Sequence, residues 1–182
     1  MKKRRILSIA VILGILMGVA VFAAQYTSDV VKSKVSAGNL KVDLVIFETV
    51  EGKEVPVTGE VTIIPGSDVD RIARVKNTGN EEAWVRVKAS LVKGDSTESY
   101  ADTKDIELIG IDADNWELQD GYWYYKKPLA AGATTEPLFT SVSINANIGN
   151  DFDGTNLKID AEGTQVKNNG STVFEAEGWT SN

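Results

Sequence analysis

From Asn39 onward the chain alternates apolar and polar residues with a period of two, and nothing else in it constrains the fold as much. Successive side chains of a strand point to opposite faces, so a half-buried strand must alternate; a helix repeats near 3.6. Leu40, Val42, Leu44 and Ile46 fall between Lys41, Asp43, Val45 and Phe47. Val69, Arg71, Ala73 and Val75 fall between Asp70, Ile72, Arg74 and Lys76. Trp84, Arg86, Lys88 and Ser90 alternate with Val85, Val87, Ala89 and Leu91. Val55, Val57, Val61 and Ile63 form a weaker series, broken by Pro56 and Gly59, which suits an edge or a bend.

Turn chemistry separates these runs. Pro65-Gly66-Ser67-Asp68 and Asn77-Thr78-Gly79-Asn80 are turns, and the second sits between two clear strands like a hairpin loop. A sandwich can also send those two strands to different sheets. Lys93 to Lys104 reads as a polar loop, Ile106 to Ile111 as a short strand, and Trp116 and Leu118 as the start of another. Asp120-Gly121 is a tight turn leading into the aromatic strand Tyr122-Trp123-Tyr124-Tyr125. Pro128 to Thr135 is a small-residue loop, Leu138 to Ile148 a strand, and Asn150 to Asn156 a loop rich in Asp and Gly. Leu157, Ile159, Ala161 and Val166 belong to a last long strand. About eight to ten short strands at this spacing, with no helical period among them, predict an all-β antiparallel sandwich, with the jelly roll as the preferred version.

The start of the chain differs. Lys2, Lys3, Arg4 and Arg5 precede an apolar run from Ile6 to Ala24. A basic end that stays cytoplasmic, followed by an apolar stretch and small residues, is the layout of a secretory leader helix. Cleavage is expected after Ala23, with Ala24 as the alternative; an uncleaved anchor is the competing reading, since the run nears bilayer-spanning length. The expected organisation is a signal peptide over residues 1–23, an N-terminal segment over 24–38 and one sandwich domain over 39–182.

Composition narrows the function. The net charge is -7 and grows more negative once the basic leader departs. Such acidity disfavours nucleic acid and anionic membranes as partners, so membrane contact is expected only through the leader. With no cysteine, the core must suffice without disulfides. With no histidine either, the common zinc ligand and neutral-pH base are missing, and Ser/His and Cys/His nucleophile pairs cannot form. No catalytic residue is assigned.

Asp151, Asp153 and Asn156 surround Gly154 with the oxygen groups calcium prefers, and Asp112, Asp114 and Asn115 form a weaker cluster. The match to an EF-hand loop is partial, because the Gly comes too early and no Glu closes it; an Asx turn between strands is the plainer reading, and no cofactor is expected. In the aromatic strand Tyr122 and Tyr124 share one face, and Trp123 and Tyr125 the other. One pair is expected in the core, and the other is a candidate exposed ladder for sugar or a partner protein. Trp84 and Trp179 are read as core or cover residues.

Phe22-Ala23-Ala24, Ser28-Asp29 and Ser36-Ala37-Gly38-Asn39-Leu40-Lys41-Val42 follow one another in an order that resembles the TasA/camelysin family of secreted Gram-positive proteins. Pro65-Gly66 through Asn77-Thr78-Gly79 to Val85-Arg86-Val87 fits the family's next strands, and Asp120 to Phe139 is similar to related exported proteins. The resemblance implies a jelly roll, export through a specialised signal peptidase, and a role in extracellular fibres or biofilm matrix. It also implies assembly by strand addition of the freed segment 24–38, with Tyr26, Val30, Val31 and Val35 as candidate anchors and self or related matrix subunits as partners. Some members carry a metallopeptidase label; this chain has no His-Glu-x-x-His. A monomeric surface module that binds glycan or matrix protein is the competing expectation.

Overall fold

Alternation along the strands becomes two stacked sheets. In the computed structural model of the protein, residues 27–28, 31–32, 34–37, 40–57, 61–62, 66–93, 106–145 and 155–179 are described. Their strands are β1 (Thr27–Ser28), β2 (Val31–Lys32), β3 (Lys34–Ala37), β4 (Leu40–Val50), β5 (Lys53–Pro56), β6 (Val61–Thr62) and β7 (Asp68–Asn77). The order continues with β8 (Ala83–Lys93), β9 (Ile106–Ile109), β10 (Trp116–Gln119), β11 (Tyr122–Leu129), β12 (Phe139–Ile144) and β13 (Thr155–Gln165). One sheet has the order β10-β11-β8-β13-β2; the other has β3-β4-β7-β12-β9, with β5 also on β4; β1 pairs with β6 apart from both. Pairing is antiparallel except for β2, which lies parallel to β13. The expected all-β antiparallel sandwich is what forms.

The core lies between the sheets. Val42, Leu44 and Ile46 of β4, Ala73 and Val75 of β7, and Phe139 and Val142 of β12 face Val85 and Val87 of β8 and Leu157, Ile159 and Ala161 of β13. Trp116, Tyr125 and Leu129 close the same cluster. Each large apolar side chain so buried contributes ~1.5–3 kcal/mol relative to exposure. The sheets approach closely at Gly163, where an added Cβ would meet Val42 Cγ1 at 3.0 Å.

Asn77-Thr78-Gly79-Asn80 does not close a hairpin: β7 and β8 belong to different sheets, so it is a corner between layers. Asn77 is fully buried and staples that corner. Its Nδ2 donates to the Glu81 and Leu129 carbonyls at 2.8 and 2.9 Å, and its Oδ1 accepts from the Gly79 N–H at 3.0 Å. The true hairpins are tighter. Asp120 and Gly121 both adopt positive φ (52° and 79°), the two-residue loop whose twist matches paired strands, between β10 and β11. Glu51 and Gly52 repeat this between β4 and β5, a hairpin the sequence reading did not single out.

β8 is covered on both faces. Its outer face carries Trp84, buried in a second small cluster with Val173 and Ala176. These come from the segment after β13, which makes a short 3₁₀ turn at Val173–Glu175. Trp84 is a core residue and Trp179 packs against it as cover.

Candidate functional site

The two lateral seams of the sandwich differ, and the N-terminal segment marks one of them. β2 lies on the edge of β13, with Val31 opposite Lys158 and Lys32 opposite Ile159. One residue later, β3 lies on the edge of β4 in the other sheet, with Val35 opposite Val42 and Lys34 opposite Asp43. The segment therefore steps from one sheet to the other and pairs with an edge of each. β1 adds a third short pairing, Thr27 with Thr62 and Ser28 with Val61. Edge strands expose unpaired N–H and C=O groups, and backbone pairing of this kind satisfies them without demanding a particular side chain.

Of the candidate anchors, Val31 and Val35 thus lie in strands paired within the same chain. Tyr26 and Val30 lie outside the described residues, as do the cleavage residues Ala23 and Ala24 and the candidate calcium ligands Asp151 and Asp153. Asn156, the third of those ligands, is in β13 opposite Val92; the strand begins at Thr155, because its ladder with β8 extends to Lys93. Among the described residues no three His, Cys, Asp or Glu side chains form a group able to hold a metal ion.

The opposite seam is bounded by β9 and β10, the terminal strands of their sheets among the described residues. Between them opens an apolar cavity of about 470 Å³, whose walls include Ile106, Leu108, Leu118, Trp123 and Leu157. Leu118 is 55% exposed although its register partner is the half-buried Trp123. Among the described residues, Leu118 is the exposed large apolar side chain of this lining, while Leu157 at its floor is buried. Glu107 and Ser90 are the polar groups in the lining. A concave apolar site with few polar groups has the character of a binding pocket. No local motif announces it, because which strands become edges is set by topology.

The outer aromatic pair is not a free ladder. Tyr124 packs against Phe174 and Trp179, with ring centroids 5.4 and 5.9 Å away. Arg86 fills the remaining space: its guanidinium carbon lies 3.9 Å from the Tyr122 ring centre and 4.6 Å from that of Trp179. Its Nε and Nη2 both donate to Glu162 Oε2, at 2.7 and 2.6 Å, and Nη1 donates to the Tyr124 hydroxyl at 3.2 Å. Burial acts to lower the Arg86 pKa, but the bonds to Tyr124 and Glu162 outweigh it and hold it above its ordinary value. The inner pair divides: Tyr125 is core, 5.1 Å from Trp116, while Trp123 lines the open seam.

Tyr125 also donates its hydroxyl to the Glu136 carboxylate. Burial pushes the Tyr125 phenol well above its usual range, and the Glu136 charge adds to it. The same hydrogen bond holds the Glu136 carboxyl below its ordinary value. The pair sits where β11 meets the loop before β12 and anchors that loop, and Lys127 Nζ lies 3.8 Å from Glu136 Oε1. Comparison with protein-family models, curated proteins and solved structures gives no match to this chain.

Proposed function

We propose that the protein is a secreted, non-enzymatic subunit or accessory subunit of extracellular fibres or matrix, a sandwich of jelly-roll type that assembles by N-terminal strand addition. The observation that carries the proposal is the placement of β2 and β3 on edges of both sheets. A short segment that pairs with its own sheet edges can make the same pairings with a neighbour's, so exchange conserves contacts while joining chains. Head-to-tail exchange that does not close on itself gives a filament. Charge supports it: residues 24–38 carry Lys32 and Lys34 against the single acid Asp29, a net charge of +1, whereas the whole chain is at -7. The basic segment and the acidic body attract, within a chain or between chains. Signal peptidase processing would free the segment. The missing histidine and cysteine, as well as the resemblance, support a structural role over the peptidase label.

The test is negative-stain electron microscopy of the chain starting at Ala24 beside one starting at Asn39. Fibres from the first and none from the second are expected; equal polymerisation by both would overturn strand addition.

The open seam favours a second reading, a binding module on the cell surface. Its anchor would be Trp123 in the cavity rather than the covered outer pair. Ligand capture by a monomer that never polymerises, abolished by Trp123→Ala, would establish it.

A further inference from the structure

We propose that Asn169 is a site of self-modification, deamidation to aspartate or isoaspartate, gated by the segment that follows β13. Asn169-Gly170 is the only Asn-Gly pair in the sequence. Glycine leaves its own N–H unshielded and its backbone free to turn toward the preceding side chain. The Gly170 nitrogen can then attack Asn169 Cγ: the N–Cγ bond forms, the Cγ–Nδ2 bond breaks, and ammonia leaves with the amide proton. Water opens the resulting five-membered imide at either carbonyl. The only co-reactant is water.

In the folded chain this amide is clamped. Nδ2 donates to Thr164 Oγ1 at 3.0 Å, to the Gln165 carbonyl at 3.0 Å and to the Glu177 carbonyl at 2.9 Å. Oδ1 accepts from the Glu177 N–H at 2.9 Å. The backbone carbonyl of Asn169 accepts from Trp84 Nε1 at 3.1 Å. One side chain thus ties the end of β13 to residues 176–179, the strap that covers Trp84, Tyr124 and Arg86. Attack requires the side-chain amide to leave its Thr164, Gln165 and Glu177 partners, so the reaction is held back while the strap is closed and proceeds when it opens.

The change is one-way. A carboxylate has no donor. Placed where Nδ2 now sits, its oxygen would face the Gln165 and Glu177 carbonyls, acceptor against acceptor; the Thr164 hydroxyl already donates to the Glu177 carbonyl at 2.8 Å, so of the present bonds the one from the Glu177 N–H is kept. Isoaspartate also lengthens the backbone. Either product leaves the strap unable to close as before and uncovers an aromatic face with a central arginine.

The experiment follows Asn169 by peptide mass and isoaspartate labelling in the chain starting at Ala24, at mildly alkaline pH. Native protein, Trp179→Ala and urea-unfolded protein are compared. Trp179 is at the end of the described chain and half-buried, so its removal loosens the strap without touching the main core. Native protein is expected to react at least about tenfold more slowly than the unfolded chain, the effect of ~1.4 kcal/mol of opening, with Trp179→Ala in between. Equal rates for native and unfolded chains would overturn the gate, as would equal rates for native protein and Trp179→Ala. Asn169→Asp supplies an independent readout: greater quenching of tryptophan fluorescence than in native protein is expected, and unchanged quenching would overturn the claim that the product releases the strap.

Discussion

Replacing Gly163 with alanine tests the stacking of the sheets. The new Cβ would lie 3.0 and 3.2 Å from Val42 Cγ1 and Cγ2 and 3.7 Å from Leu40 Cδ2. Val42 is 1% exposed and cannot move outward. Overpacking of this kind costs ~1–3 kcal/mol; the approach is well inside normal carbon contact, but only the Val42 side chain has to give, by a few tenths of an ångström, so the lower end applies. Alanine in a strand returns about 0.5–1 kcal/mol over glycine. Gly163→Ala alone should therefore destabilise by up to about 1 kcal/mol. Val42→Ala alone removes two methyl groups and should cost about 2 kcal/mol. In the Val42→Ala background the obstruction is gone, and Gly163→Ala should become neutral or stabilising by ~0.5–1 kcal/mol. Urea unfolding followed by tryptophan fluorescence gives the coupling energy, expected at ~1 kcal/mol or more. If Gly163→Ala has the same effect in both backgrounds, β13 does not lie against β4 in this register.

Other expectations follow from the same geometry. Arg86→Met leaves Glu162 (side chain 7% exposed) without its partner and strips the cation from Tyr122 and Trp179; a loss of ~3 kcal/mol, roughly 6–12 °C in melting temperature, is expected, and an unchanged melt would refute it. Because Glu136 is held below its usual pKa, its contribution is present above ~pH 4.3 and lost as pH falls through the folded value. Because Tyr125 is held above its usual pKa, its contribution is present below ~pH 10 and lost as pH rises toward the folded value. Tyr125→Phe should flatten both limbs of a stability-versus-pH profile; a parallel profile would sink this reading. Leu118→Ser changes a residue 55% exposed, so stability should move within ~0.5 kcal/mol. Binding of an apolar fluorescent dye should nevertheless fall, and undiminished binding would mean the seam cavity is not the dye site.

Much of the fold is legible because alternation is local. Val42, Leu44 and Ile46 announce their common face, and the structure buries all three. Asp120-Gly121 is equally readable, since two residues of that type favour positive φ together. Asn77-Thr78-Gly79-Asn80 misleads as a hairpin because a turn reports a change of direction, not the sheet the chain enters next; the buried Asn77 amide fixes it as a corner. The fate of the aromatics was half visible. Alternation separates Tyr122 and Tyr124 from Trp123 and Tyr125, but the cover over Tyr124 comes from Phe174 and Trp179, about fifty residues away, and no period links them. The open seam was invisible for the same reason. Ile106, Leu108 and Leu118 read as ordinary strand residues, and the order of strands leaves β9 and β10 at the ends of their sheets among the described residues.

Strand exchange is tested most directly by locking β2 in place. The chain has no cysteine, so Val31→Cys with Lys158→Cys, which are register partners across β2 and β13, would create its only thiol pair. Oxidising the monomer should close a disulfide within one chain, since neighbouring strands bring Cα atoms to bridging range. The measurement is polymerisation of this variant, from Ala24 onward, by electron microscopy before and after reduction. Strand addition predicts no fibres while the disulfide holds the segment in its own chain, and fibres once it is reduced. Fibres from the oxidised monomer would contradict it.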